Sequence, residues 1–347
     1  MTIKDVATLA GVSTATVSYV INNTKNVIPE KRRRVLDAIE QSGYQPNRIA
    51  KSLRVKKTNT IGVLVEDIRG FAVPSIINGL SEYAEQENYY ILLNDIRMME
   101  GLLNRYDMLG QYKDKINEAI SVLLNSAMVE AVIYIGMSDR DITGIINEID
   151  KPLVIAYSTT NDAFAHSVTY DNEQISREAI NHLLNAGHER IGIITGSLHT
   201  APARLRMRGI ETAFLDAGRT FDETLIRHGD WEYNSGYIEA MELMKSAPTA
   251  IFAMNDLMAA GAIAAIQQAN LKVPDDISVI GFDNREISSL LHPKLSTVDI
   301  DPKGIGLTAA QMALKLLRGE KLTKEEHCQI VPSRLVLRES VKYSWRK

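Results

Sequence analysis

Apolar residues follow two different patterns along the chain, with the change near residue 60. Beyond it, short apolar runs at 60–66, 90–94, 131–136, 153–157, 190–195, 250–254 and 277–282 predict strands covered on both faces. Residues 174–186, 203–217, 233–246 and 256–269 carry the three-to-four spacing of amphipathic helices. Strands alternating with helices predict parallel sheets sandwiched between helical layers, an α/β fold. About 280 residues exceed what one such sheet needs, so two lobes are expected. Ligands of such sheets bind outside the carboxyl ends of the strands, which places the expected site in the cleft between lobes.

The first sixty residues show helical spacing only. Thr2 and Asp5 have capping-box spacing, and Val6, Leu9 and Ala10 share a helix face. Gly11-Val12 breaks that helix, and Ser13 is a good N-cap for a second one reaching about Asn22. In it Val17, Val20 and Ile21 point inward, leaving Thr14, Ala15, Ser18 and Tyr19 outward. Two short helices joined at a tight glycine turn form a helix-turn-helix, whose second helix enters a DNA major groove. There Thr14 offers a hydroxyl, Ala15 a methyl contact, and Tyr19 reaches a base or phosphate. A third helix is expected from Pro29 to Ser42, ended by Gly43, with Val35, Leu36 and Ile39 as its apolar face. Its first turns carry Lys31, Arg32, Arg33 and Arg34, cations that oppose the helix dipole and invite a phosphate. Asn47 then caps a short stretch where Ile49, Ala50 and Leu53 share a face. That stretch is too short to hold alone, and reads either as a simple linker helix or as a segment ordered on DNA or on a second copy, its leucine suited to a minor-groove wedge.

Charge separates the same two regions. Residues 1–58 hold 11 Lys and Arg against 4 Asp and Glu, a balance of +7, whereas the rest carries −11. The single cysteine, Cys328, excludes an internal disulfide and a thiolate metal cluster. No apolar run of membrane-spanning length and no secretory signal is found, so a cytoplasmic, nucleoid-associated protein is expected.

In order and register, Ile3-Lys4-Asp5-Val6-Ala7, Ala10-Gly11-Val12-Ser13, Thr16-Val17-Ser18, Gly43-Tyr44 and Pro46-Asn47-Arg48-Ile49-Ala50 with Leu53 resemble the headpiece of the lac repressor (LacI/GalR) family. The resemblance implies DNA contacts by Thr2, Ser13, Thr14, Ala15, Thr16, Ser18, Tyr19, Asn22, Asn47, Arg48, Ala50 and Leu53, with Leu53 a wedge in the minor groove. Tyr19, where arginine is frequent, and Ile28-Pro29, where serine usually caps the third helix, depart from the pattern. Further along, Asn181-His182-Leu183-Leu184 with Gly187-His188, Phe252-Ala253-Met254-Asn255-Asp256, Ile277–Asp283 and Leu295-Ser296-Thr297 resemble that family's effector domain, akin to periplasmic sugar-binding proteins. By this resemblance Arg206, Asn255 and Asp283 contact an effector, Trp231 and Tyr170 line its pocket, and Phe71 joins from the first strand–helix loop. Residues 96–115 depart as an insertion.

The domain plan is then 1–45 for the headpiece, 46–59 for hinge and linker, and 60–340 for the two-lobed body. The first lobe is placed at about 60–158 and 297–318, the second at about 159–290 and 325–340. An enzyme is disfavoured: HExxH, GxSxG and Walker spacings are absent, and the seven histidines show no metal-ligand spacing. Gly304-Ile305-Gly306 with Ala309 fits GxGxxA but follows Pro302 outside any first βαβ unit, and Asp256 reads as a helix cap. No cofactor is expected. The expected partners are double-stranded, near-palindromic operator DNA, a small-molecule effector of carbohydrate type, and a second copy of the chain in a homodimer; no membrane is involved.

Overall fold

The computed structural model describes residues 1–23, 25–44, 58–98, 106–126, 129–323 and 325–343. They form two compact units, Met1–Thr58 and Asn59–Lys347. In the first unit α1 spans Ile3–Ala10, α2 Thr14–Asn22 and α3 Pro29–Ser42. Their ends follow the local chemistry. The backbone N–H of Thr2 donates to the Asp5 carboxylate at 2.7 Å, Ser13 Oγ accepts from the N–H of Thr16 at 3.1 Å, and Gly11 and Gly43 end α1 and α3 with φ of 60°.

Gly11 is required twice over. Its φ is left-handed, and a Cβ there would lie 2.3 Å from Arg34 Nη2. Arg34 donates to the carbonyls of Ala10 and Gly11, and Arg32 Nη1 to Asn23 Oδ1 at 3.0 Å. These two cations therefore serve helix ends and turns inside the unit, while Lys4, Lys25, Lys31 and Arg33 are exposed. Val6, Ala7, Ala10, Val17, Val20, Val35 and Ala38 are buried. Leu9 and Leu36, expected in this core, are about half exposed; Ala7 and Ala38 take the inward positions.

The second unit holds two parallel sheets. The first has the order β11-β5-β4-β3-β1-β2. Its strands are β1 Thr60–Val65, β2 Tyr90–Asp95, β3 Ala131–Ile135, β4 Leu153–Ala156, β5 Ala165–Thr169 and β11 Cys328–Ile330. The second has the order β7-β6-β8-β9, with β6 Ile191–Thr195, β7 Ile226–His228, β8 Ala250–Ala253 and β9 Ser278–Ile280. A short antiparallel pair joins Thr297–Asp299 to Arg334–Val336. Every residue of β3, β4, β6 and β8 is buried, as the apolar runs require.

Helices cover both sheets: α4 Val73–Gln86, α5 Lys113–Ser126, α6 Asn172–Asn185, α7 Ala201–Asp216, α8 Tyr233–Met244, α9 Asp256–Gln268, α10 Ile287–Leu290 and α11 Pro302–Leu317. Of the Gly304/Gly306 pair, Gly304 lies against the capping Asp301 side chain of its own helix, and Gly306 belongs to the packing of α11 on α4. A Cβ at Gly306 would lie 1.9 Å from the carbonyl oxygen of Ile76, and one at Gly79 would lie 2.0 Å from that of Lys303.

Lobe boundaries differ from expectation at two strands. Ala165–Thr169 and Cys328–Ile330, placed in the second lobe by the sequence, complete the first sheet. The chain thus passes to the second lobe after β5, not after β4. Within residues 96–115, Ile96, Met98 and Leu109 are buried in a core with Ile116, Ile120 and Tyr134, so the described part of this stretch fills the first lobe. No described helix is long and apolar enough to cross a membrane.

Candidate functional site

On the headpiece, the outer side of α2 presents Thr14 and Ala15, both exposed. Thr16 and Ser13 hydroxyls lie 2.9 Å apart at its start, so this pair is engaged in capping as well as surface-facing. Ser18 and Tyr19 are half-buried, and Lys25 Nζ sits 4.9 Å above the Tyr19 ring. That contact holds a phenol and a cation side by side next to α2. Thr2 is exposed at the start of α1, and Asn22 is the last residue of α2. Asn47, Arg48, Ala50 and Leu53 lie outside the described residues.

In the second unit, carboxyl ends of strands from both sheets surround a cavity of about 230 Å³. From the first lobe come Arg69, Gly70 and Phe71 after β1, Met137 and Ser138 after β3, and Tyr157 after β4. Arg206, Trp231, Asn255, Asp283 and Arg285 line it from the second lobe.

Arg206 is nearly fully buried, and every part of its guanidinium is used. Nε donates to Asn172 Oδ1 at 2.8 Å, Nη1 to the carbonyl of Met254, and Nη2 to the Tyr170 hydroxyl at 3.1 Å. Asp283 Oδ1 lies 3.7 Å from Nη2, and the Phe282 ring lies 3.5 Å from the guanidinium carbon. A buried cation survives only with such a partner set. Asn172 in turn donates to Asp139 at 2.7 Å, which also accepts from Thr169 Oγ1 at 2.9 Å. Burial pushes the Asp139 carboxyl up to about 6, against the hydrogen bonds from Thr169 and Asn172.

Asp283 follows β9 with φ of 105°, held by its N–H donating to Val298 at 2.9 Å. Its Oδ2 accepts from Arg285 Nε at 3.1 Å. Burial raises its pKa, and Arg285 and Arg206 oppose that rise. Trp231 and Tyr157 also have left-handed backbones, φ 77° and 61°. Three such non-glycine residues lining one cavity, from both lobes, mark a site whose surroundings impose its geometry. Trp231 packs on the bare backbone of Gly196, where a Cβ would lie 2.1 Å from the indole. Asn255 is fixed from both sides: it caps α9 by accepting from Met258 N–H at 2.8 Å and donates to the Trp231 carbonyl at 2.7 Å. The cap is therefore Asn255, not Asp256. Asp256 is buried beside it, accepts from Thr297 Oγ1 and the N–H of Arg285, and is pushed up to about 7, first by burial and then by Asp283.

Of the residues expected here, Phe71, Arg206, Trp231, Asn255 and Asp283 line the cavity. Tyr170 does not. It lies behind Arg206, stacked on Tyr157 at 5.9 Å, and borders a second, open cleft of about 720 Å³ with Asp139 and Arg204. Tyr157 and Arg285 were not anticipated. Tyr157 follows a predicted strand, so the strand-end rule reaches it; nothing local marks Arg285.

The chain matches the family profile "Bacterial regulatory proteins, lacI family" over residues 2–47 and "Periplasmic binding protein-like domain" over 180–341. It is 33% identical to the HTH-type transcriptional repressor PurR of Photobacterium profundum, with 98% of each chain covered. It is also 33% identical to catabolite control protein A of Priestia megaterium, with 99% of each covered. Among solved structures, the lac repressor dimer bound to operator and the anti-inducer ONPF aligns with a TM-score of 0.79 at 28% identity, over 98% of both chains. The regulator CelR in complex with cellobiose aligns with a TM-score of 0.63 at 26% identity, over 98% of this chain and 99% of that one. With a helix-turn-helix headpiece, a two-sheet body around a cleft, and relatives matched along their whole length, the chain belongs to the LacI family of DNA-binding transcriptional regulators.

Proposed function

We propose that this regulator is a repressor acting in the cytoplasm as a homodimer, released from a near-palindromic operator by a carbohydrate-like effector in the cavity between the lobes. The observation that carries the reading is the cavity wall. Buried Arg206 and Asp283 and fixed Asn255 supply polar groups, and Trp231, Phe71 and Tyr157 supply rings of the kind that stack on sugar faces. A cavity of about 230 Å³ lies below the roughly 300–1,000 Å³ of drug-sized pockets, which suits a monosaccharide-sized ligand. The solved relatives named above include one bound to operator and one bound to cellobiose, which supports both halves of the reading.

The headpiece supplies the grip. Thr2, Ser13, Thr14, Ala15, Thr16, Ser18, Tyr19 and Asn22 face DNA from and around α2, and Asn47, Arg48, Ala50 and Leu53 form the hinge, with Leu53 as the wedge. An effector controls this grip only through its different affinities for two states of the lobes. A site selected in vitro and a scrambled duplex test the DNA half. Leu53→Ala is expected to weaken binding to the selected site about 10- to 100-fold and to the scrambled duplex far less. Equal losses on both would remove the wedge.

A further inference from the structure

Arg206 and Arg285 both border the cavity, but they spend their hydrogen bonds differently. Arg206 uses Nε, Nη1 and Nη2 on protein partners. The Arg285 side chain has one hydrogen bond, Nε to Asp283 at 3.1 Å, and its two terminal nitrogens donate to no described residue. Its guanidinium lies 4.4 Å from the centre of the Phe71 ring, which faces it from the first lobe. Its side chain keeps about a quarter of its exposure, at the cavity. A ring on one side and a carboxylate at Nε fix the plane of the fork and leave its end open.

The carboxylates around it do not reach its open end. Asp283 is in direct ion-pair range of both Arg285 and Arg206, while Asp139 and Asp256 act on Arg206 and Arg285 from further away. Asp256 reaches the backbone N–H of Arg285 rather than its side chain. Arg69 is engaged by Asp67 through two bonds of 2.8 Å, and Glu232 is exposed at the rim. The terminal nitrogens of Arg285 are therefore open to the cavity, where a charge-assisted hydrogen bond counts for more than in water.

We infer that the effector of this cavity is an acidic sugar, a monosaccharide-sized polyol bearing a carboxylate or phosphate, and that the open fork of Arg285 receives its anionic group. This rests on the cavity being the effector site. A guanidinium fork matches a carboxylate or phosphate with two parallel charge-assisted hydrogen bonds, geometry that a neutral hydroxyl cannot use fully. Arg206 then shapes the wall, while Arg285 selects the ligand. Because Phe71 and Arg285 belong to different lobes, an anion on Arg285 also bears on the contact between them.

Thermal shift and calorimetry on the full chain test this with matched probes: D-glucose and D-galactose, their aldonic and uronic acids, their 6-phosphates, and inorganic phosphate alone. Acidic members are expected to raise Tm at millimolar concentration while the neutral sugars do not. The stronger of the carboxylate and phosphate arms identifies the group. Arg285→Gln is expected to weaken acid binding about 10- to 100-fold, and Arg285→Lys, which keeps charge but loses the fork, by less. Circular dichroism of each ligand-free variant confirms folding. An acidic-sugar Tm shift that survives Arg285→Gln undiminished, as binding to the basic headpiece would, overturns the role of Arg285. Neutral sugars binding wild type and Arg285→Gln equally overturn the acidic class but keep the cavity as a sugar site. No shift with any probe overturns both readings.

Discussion

The two units of this chain solve opposite problems with charge. The headpiece keeps a small apolar core and leaves Lys4, Lys25, Lys31 and Arg33 exposed, so its cations stay in water until a polyanion arrives. The effector domain buries Arg206, Asp283, Asp256 and Asp139 almost completely, with Asn172 bridging Arg206 to Asp139 and Arg285 bridging Asp283 to Asp256 by hydrogen bonds. Exposed cations act through the number of phosphates they neutralise, and one more or less changes affinity gradually. Buried charges act through geometry, and losing one leaves its partners unmatched. The grip is thus additive, whereas the sensor is all-or-none in its parts.

The sharpest way to break this contrast is to delete a buried charge. Arg206→Ala leaves Asp283 with Arg285 alone and strips Asn172 Oδ1, the Met254 carbonyl and the Tyr170 hydroxyl of their donor. A cost of about 3–5 kcal/mol in denaturant unfolding of the effector domain is expected; a cost below about 1 kcal/mol would mean that the network is not structural.

The next effect is a pH dependence. Burial raises the folded-state pKa of Asp256 from the ordinary carboxylate range to about 7. The folded state therefore binds the proton more tightly than the unfolded chain. The corresponding stabilisation is complete below about pH 4 and is lost as pH rises towards 7. His188, pushed down to about 4 by burial, acts in the opposite sense over much of this window, so the difference between variants is the readout. Asp256→Asn should gain stability relative to wild type by about 2–4 kcal/mol between pH 4 and pH 8. Parallel Tm–pH curves for the two proteins would show that Asp256 does not titrate there.

The smallest effect belongs to the headpiece. Arg33→Gln should reduce the slope of log affinity against log salt by about 0.9, without changing which sequence is preferred. An unchanged slope would place Arg33 away from the phosphates.

The same division explains how much could be read from sequence. Headpiece elements are set by neighbours a few residues apart: Ser13 and Thr16 at one cap, Pro29 at the start of α3, Gly11 and Gly43 at two ends. Their boundaries were legible. Which apolar residues go inward was less so, because in so small a core Ala7 and Ala38 fit where Leu9 and Leu36 do not. In the body, strands made of apolar runs were legible. Ala165–Thr169 and Cys328–Ile330 were not, since each is short and polar in part; the first pairs with β4 and the second only with the first, from which it is far removed in the chain.

The site divides in the same way. Phe71, Trp231, Asn255 and Asp283 lie in the segments that follow strand ends, where the fold rule points, and Arg206 on the helix after β6. Tyr170 sits at a strand end too, but its side chain turns behind Arg206, a matter of tertiary packing. Arg285 acquires meaning only once Phe71 from the other lobe lies against it.

The central claim is that occupancy of the cavity sets the strength of the DNA grip. Its most direct test is the affinity of the full chain for its selected operator, measured by fluorescence anisotropy with and without the cavity ligand, in wild type and Asp283→Ala. The account predicts that ligand shifts wild-type operator affinity at least about tenfold and leaves Asp283→Ala unmoved. Ligand that binds wild type but leaves its operator affinity unchanged would contradict it.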